Sequence, residues 1–102
     1  MSNYNLYLGL RDKDTKQYRI GLVEAYKVAE NILLSHVDGA TIYEGNGIFK
    51  HENGTVVQEK SLIITLFGTD DSTIRKIVDD LKRAFNQESV ALETVNSVVN
   101  FW

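Results

Sequence analysis

Residues Gly39–Phe67, GATIYEGNGIFKHENGTVVQEKSLIITLF, decide the fold. They read as two long strands folded back on each other at Asn53-Gly54, a dipeptide that tolerates positive φ and suits a tight type I′ turn. The run Leu62–Phe67 is apolar, β-branched and aromatic, as expected of a central strand. Pairing straight back from a two-residue Asn53-Gly54 turn sets Ile42 against Thr65 and mixes the two faces. One additional residue on the first strand sets Ile42 against Ile64 and Ala40 against Leu66, both apolar pairs. A one-residue slip turns every side chain to the other face, so burial selects the second register. The sequence therefore predicts a β-bulge within Glu44-Gly45-Asn46-Gly47, where glycine makes the kink cheap.

Outward from this hairpin, Tyr4–Leu10 alternates in the period of a strand, and Arg11–Arg19 is a polar stretch expected to be a mobile loop. Ile20–His36 has helical periodicity. Leu22, Tyr26, Ala29 and Leu33 line one face, widened by Val23, Ala25 and Ile32, and Asp38-Gly39 is expected to end it in a left-handed turn. Gly68-Thr69-Asp70-Asp71 breaks the long strand and caps a second helix with the stripe Ile74, Ile77, Val78, Leu81 and Phe85. Arg75–Asp79 and Lys76–Asp80 are placed to pair along its exposed side, and Asn86 ends it. Ser89–Val95 alternates again as a fourth strand. The tail Asn96–Trp102 holds Val98, Val99, Phe101 and Trp102, and is expected to dock as a short strand on its own sheet or on a partner's.

The order is βαββαβ plus a tail. Two helices can cover one face of a four-stranded antiparallel sheet, so the fold class is α+β, ferredoxin-like, in one domain spanning residues 1–102.

Composition excludes several kinds of chemistry. There is no cysteine, hence no disulfide, thiolate metal site or cysteine nucleophile. No apolar run approaches the roughly 18–20 residues that span a bilayer, and the N-terminal stretch lacks the basic and apolar regions of a signal peptide. A cytoplasmic location is the expectation. The net charge of -3 disfavours sequence-independent binding to nucleic acid, which needs a clustered cationic surface. The local cluster Arg11, Lys13, Lys16 and Arg19, interrupted by Asp12 and Asp14, is a candidate anion contact.

Catalytic patterns are scarce. His36 sits near a helix C-terminus, where the dipole favours a cation, and His51 sits by the hairpin turn. Neither belongs to a metal or triad pattern, so no cofactor and no metal are expected. Gly45-Asn46-Gly47 enters a strand rather than a helix, unlike a phosphate loop. Ser35 and Ser61 lack a base and an acid in readable spacing. The pairs Asp70-Asp71 and Asp79-Asp80 are explained by capping and by a solvated helix side.

The inference that reaches toward function concerns the second face of the sheet. Leu62, Ile64 and Leu66 point one way; Ile63, Thr65 and Phe67 point the other, joined by Tyr7 and Tyr43. A sheet with helices on one side alone should leave its second face polar, yet this one is apolar and aromatic. Three occupants are open: a homo-oligomer, with a dimer favoured, or another protein; the tail, through Phe101 and Trp102; or a small molecule.

The Gly-x-Thr start at Gly39–Thr41, the glycine-broken strand, Glu59-x-Ser61 before an apolar strand, and Asn86-Gln87-Glu88-Ser89-Val90 before the last strand resemble PII-like and related small ferredoxin-like bacterial and phage proteins. The resemblance implies trimers that bind nucleotides between subunits through a long loop joining strands two and three. Here that connection is the tight hairpin at Asn53-Gly54, and nucleotide signalling is not carried over. Three readings follow: an interaction protein that self-associates through its sheet, of the sort a phage or prophage uses to inhibit a host defence; a ligand-sensing module with a pocket between Tyr7, Tyr43 and Arg11–Arg19; and a small cofactor-free enzyme.

Overall fold

A computed structural model describes residues Ser2–Trp102. The elements are β1 (Ser2–Gly9), α1 (Leu22–Leu34), β2 (Thr41–Lys50), β3 (Val56–Thr69), α2 (Asp71–Ala84) and β4 (Ala91–Val95). The four strands form one antiparallel sheet in the order β2-β3-β1-β4, the ferredoxin-like arrangement expected from the element order. Both helices cover the same face. Tyr4, Leu6, Leu8, Leu62, Ile64 and Leu66 meet Ala25, Ala29 and Leu33 of α1 and Ile74, Ile77 and Leu81 of α2, with Phe85 closing the end. Val23, assigned by periodicity to the apolar face of α1, is 75% exposed instead. No helix among the described residues is long and apolar enough to cross a membrane.

The apolar register is the one adopted: Ile42 pairs with Ile64, and the ladder runs unbroken from Thr41↔Thr65 to Lys50↔Val56. The bulge expected at Glu44–Gly47 is absent. The odd residue is taken up at the turn. His51 O accepts from Gly54 N at 2.9 Å, His51 N donates to Thr55 O at 2.9 Å, and Gly54 has φ +88°. The loop Glu52-Asn53-Gly54 is thus a three-residue connection with its bulge at a left-handed glycine, not a two-residue type I′ turn. A bulge inside the strand sacrifices ladder hydrogen bonds, whereas one at the turn sacrifices none. Asn53 takes another part: its Oδ1 accepts from Thr55 N at 2.9 Å.

The helix ends also differ in detail. Asp70 caps α2 by accepting from Thr73 N at 2.7 Å, and Asn86 ends it at φ +46°, both as the sequence predicts. The end of α1 comes earlier, at Leu34, capped at Ser35, and Gly39 does not take positive φ. On α2, Arg75 pairs backward with Asp71 at 2.8 Å, and Arg83 with Asp80 at 2.6 Å. The expected Arg75–Asp79 and Lys76–Asp80 pairs are not made: Arg75 is taken by Asp71, and Asp80 by Arg83 and by His36 of the α1–β2 connection, the latter at 2.7 Å. His36 therefore ties the two helices together, and Asp80 is half-buried rather than solvated.

β1 stops pairing with β3 at Gly9↔Ser61, whereas β2 and β3 continue to Lys50↔Val56. The far hairpin consequently projects past the helices as a two-stranded arm, and the molecule measures 46 × 25 × 24 Å. The fourteen residues of β3, at about 3.3 Å each, run the length of that long axis.

Candidate functional site: the open sheet face

The sheet register sets three of the sequence-predicted residues in a row. Tyr43 and Tyr7 are each paired to Ile63, one from either side. Ile63 is buried, although no helix covers it. Gly45 helps explain this: a Cβ there would lie 2.6 Å from Ile63 Cδ1, so the absent side chain is the space the isoleucine occupies. Tyr7 and Tyr43 stay about half exposed on either side.

The next row is polar. Thr65 Oγ1 donates to Asn5 Oδ1 at 2.8 Å, Asn5 Nδ2 donates to Glu93 Oε1 at 2.9 Å, and the Tyr7 hydroxyl donates to the same oxygen at 3.0 Å. These bonds hold the Glu93 carboxyl below its usual range, Asn5 first and Tyr7 second. The Glu93 hydrogen bond in turn pushes the Tyr7 hydroxyl up. Asn5 and Glu93 escaped sequence reasoning, because the β1–β4 register that brings them level is a tertiary fact. Alternation along Ser89–Val95 showed only that Glu93 shares a face with Ala91.

Toward the chain end, Phe67 is met edge-on by Phe101 at 5.9 Å between ring centroids. The tail reaches this position because Asn3 Nδ2 donates to Ser97 O at 2.9 Å. It is not a strand, and it does not shelter its own aromatic residues: Phe101 is 82% exposed and Trp102 stands fully in solvent. The expectation that the tail docks on its own sheet is corrected to this single ring contact. One side-chain hydrogen bond, from Asn3 Nδ2 to the Ser97 carbonyl, and one ring edge supply too little burial to order seven residues into a strand.

At the arm's root a trough of about 280 Å³ is lined by Tyr7, Gly9, Gly47, Phe49, Val57 and Glu59. Phe49 belongs to this face by strand alternation and packs edge-on against His51, with centroids 4.7 Å apart. A larger adjoining cavity of about 460 Å³ is lined by Arg11, Lys13, Lys16, His51, Glu59 and Gln87, among others.

The segment Arg11–Arg19 is a hydrogen-bonded turn, with Arg11 bridged to Tyr18. Asp12 is buried and accepts from Asp14 N at 2.8 Å, Thr15 N at 3.1 Å and Asn86 Nδ2 at 3.0 Å. The Asn86 amide first, then the two backbone N–H groups, depress its pKa. Two of the four basic residues proposed for anion contact are engaged within the fold. Arg11 Nη2 donates to Gln58 O at 2.8 Å and its guanidinium lies 5.2 Å over the Tyr18 ring, while Arg19 faces Asp12 at 3.6 Å. Lys13 and Lys16 have no carboxylate within ion-pair distance among the described residues; the Lys16 ammonium donates to Lys13 O. Among the described residues, no three histidine, aspartate or glutamate side chains are grouped as a metal site.

The model of a family described as a protein of unknown function, DUF3574, matches residues 3–101. No curated protein matches the chain. Among solved structures, a phage SAM lyase in complex with S-methyl-5′-thioadenosine superposes with a TM-score of 0.60 at 20% identity, covering 91% of this chain and 78% of that one. The periplasmic divalent cation tolerance protein CutA from Archaeoglobus fulgidus gives 0.62 at 13% identity, covering 97% and 87%. CutA1 from Ehrlichia chaffeensis gives 0.61 at 14%, covering 98% and 85%. At these identities the likeness is one of fold.

Proposed function

We propose, for this chain, which belongs to the DUF3574 family, a non-catalytic role as an interaction protein that self-associates through the open face of its sheet. The observation that carries this reading is the row Tyr43–Ile63–Tyr7, extended by Phe49 and Phe67, on a face with no helix layer over it. Apolar surface of this kind on a soluble domain marks contact with another macromolecule. The likeness in fold to a phage protein supports placing this role in a phage or prophage accessory protein that blocks a host defence by occupying its target. Light scattering over a concentration series tests the self-association. The parent protein is expected at twice the chain mass and Tyr43→Glu at the chain mass. A parent that remains monomeric throughout the series defeats the proposal.

A second reading, a small-ligand module, is favoured by one observation: Arg11, which lines the 460 Å³ cavity, keeps its Nε buried without an acceptor. The thioadenosine bound by the similarly folded phage lyase supplies a first compound to test, alongside nucleotides. A ligand at 100 times its dissociation constant adds about 2.7 kcal/mol to stability, a shift readily seen in thermal denaturation. No shift with any of these compounds removes the second reading and leaves the first standing.

A further inference from the structure

The arm and the tail lie at opposite ends of the long axis, and both present unsheltered aromatic residues. Near the tip, Phe49 is 61% exposed, with Val57 across the ladder and His51 packed against its ring. At the far end, Phe67, Phe101 and Trp102 are 47%, 82% and 110% exposed. A two-stranded ribbon and a seven-residue tail are each marginal alone, because neither buries enough to offset its ordering.

We infer that two copies pack their open faces antiparallel about a two-fold axis, the tail Val98–Trp102 of each seated on the arm of the other. This rests on the self-association reading and specifies its geometry. Tyr7, Tyr43, Phe49, Phe67, Phe101 and Trp102 together expose roughly 600–1,000 Å² of aromatic surface per copy, taking about 150–250 Å² for each whole side chain. A standard-size interface removes about 800 Å² from each partner. The trough at the arm's root, about 280 Å³, falls just below the ~300–1,000 Å³ of most small-molecule pockets and suits an aromatic side chain.

Orientation follows from where the two sticky ends sit. Antiparallel packing gives each tail an arm and closes the assembly at two copies, since a two-fold contact is self-complementary. Parallel stacking would set tail on tail and arm on arm, and neither trough would receive a tail. Head-to-tail packing would leave one arm and one tail free at the ends of a growing filament.

The absence of cysteine makes the test direct. His51 and Val98 are both exposed, and along β3 they stand roughly 40 Å apart within one chain, at about 3.3 Å per residue. A short bis-maleimide cannot bridge that distance. In the double variant His51→Cys/Val98→Cys it is expected to give a covalent dimer, whereas each single variant stays uncrosslinked. Phe101→Ser/Trp102→Ser is expected to fall to the chain mass with its circular dichroism unchanged. Crosslinking of a single variant indicates like-on-like packing and overturns the geometry. Dimers that form without any crosslink, and that survive the tail substitutions, overturn it too while leaving self-association intact. A parent that never dimerises defeats both.

Discussion

The hydroxyl of Tyr7 donates to Oε1 of Glu93 at 3.0 Å, across the β1–β4 ladder and diagonal to its register. Because Asn5 donates to the same oxygen, the carboxylate is fixed on the open face and the phenol is held in its protonated form.

Opposite pH dependences follow from this pair. The folded Tyr7 pKa lies above its usual 10.0, so its contribution is complete below pH 10 and is lost as pH rises through the raised value. The folded Glu93 pKa lies below its usual 4.5, so its contribution is complete above that pH and is lost as pH falls through the depressed value. Glu93→Gln is expected to flatten the dependence of the thermal midpoint on pH at both ends. Unchanged slopes in the variant would show that the pair has no energetic coupling to folding.

A second pH effect belongs to the clip between Asp12 and Asn86. The Asp12 pKa is lowered from 3.8, so its stabilisation is lost as pH falls through the folded value. Asn86→Gly keeps the positive φ and removes the amide donor. Acid unfolding is then expected to begin at higher pH, with faster hydrogen exchange at the Lys13 amide, which now donates to Asn86 O at 3.1 Å. Exchange as slow as in the parent would show that the turn holds without the clip.

Strand alternation and helical periodicity carried most of the fold, because burial on one side writes those periods directly into Leu62–Phe67 and Ile74–Phe85. The Ile42↔Ile64 pairing was legible for the same reason. The position of the compensating bulge was not, since glycines at 45, 47 and 54 are equally permissive and only the ladder as a whole distinguishes them. On the open face, Tyr7, Tyr43 and Ile63 could be placed by parity. Asn5, Glu93 and the Asp12–Asn86 clip depend on side chains from segments over seventy residues apart, and local pattern holds no trace of such meetings.

The contrast between sheet and arm gives a third prediction. Ile64 is fully buried under the helices, whereas Ile48 is 76% exposed on the arm. Ile64→Ala is expected to cost about 2–5 kcal/mol in urea denaturation. Ile48→Ala should stay within about 0.5 kcal/mol. Equal costs for the two would mean that the arm is as deeply packed as the core.

Gly54 supplies the fourth. Its φ of +88° is a conformation that costs a side-chain-bearing residue about 1–2 kcal/mol. Gly54→Ala should lose about that much stability, while Asn53→Ala should lose less, having one exposed hydrogen bond to Thr55 N to give up. The reverse order would indicate a two-residue turn in solution.

β1 lies between β3 and β4, so the first strand to be made is stitched on both sides by strands from the second half of the chain. Neither half can complete a sheet by itself: residues before the hairpin tip lack both neighbours of β1, and residues after it lack the strand that separates β3 from β4. Such threading makes the domain an all-or-none object during synthesis. It also offers a natural place to divide the chain, at Asn53, into two pieces that become ordered only in each other's company.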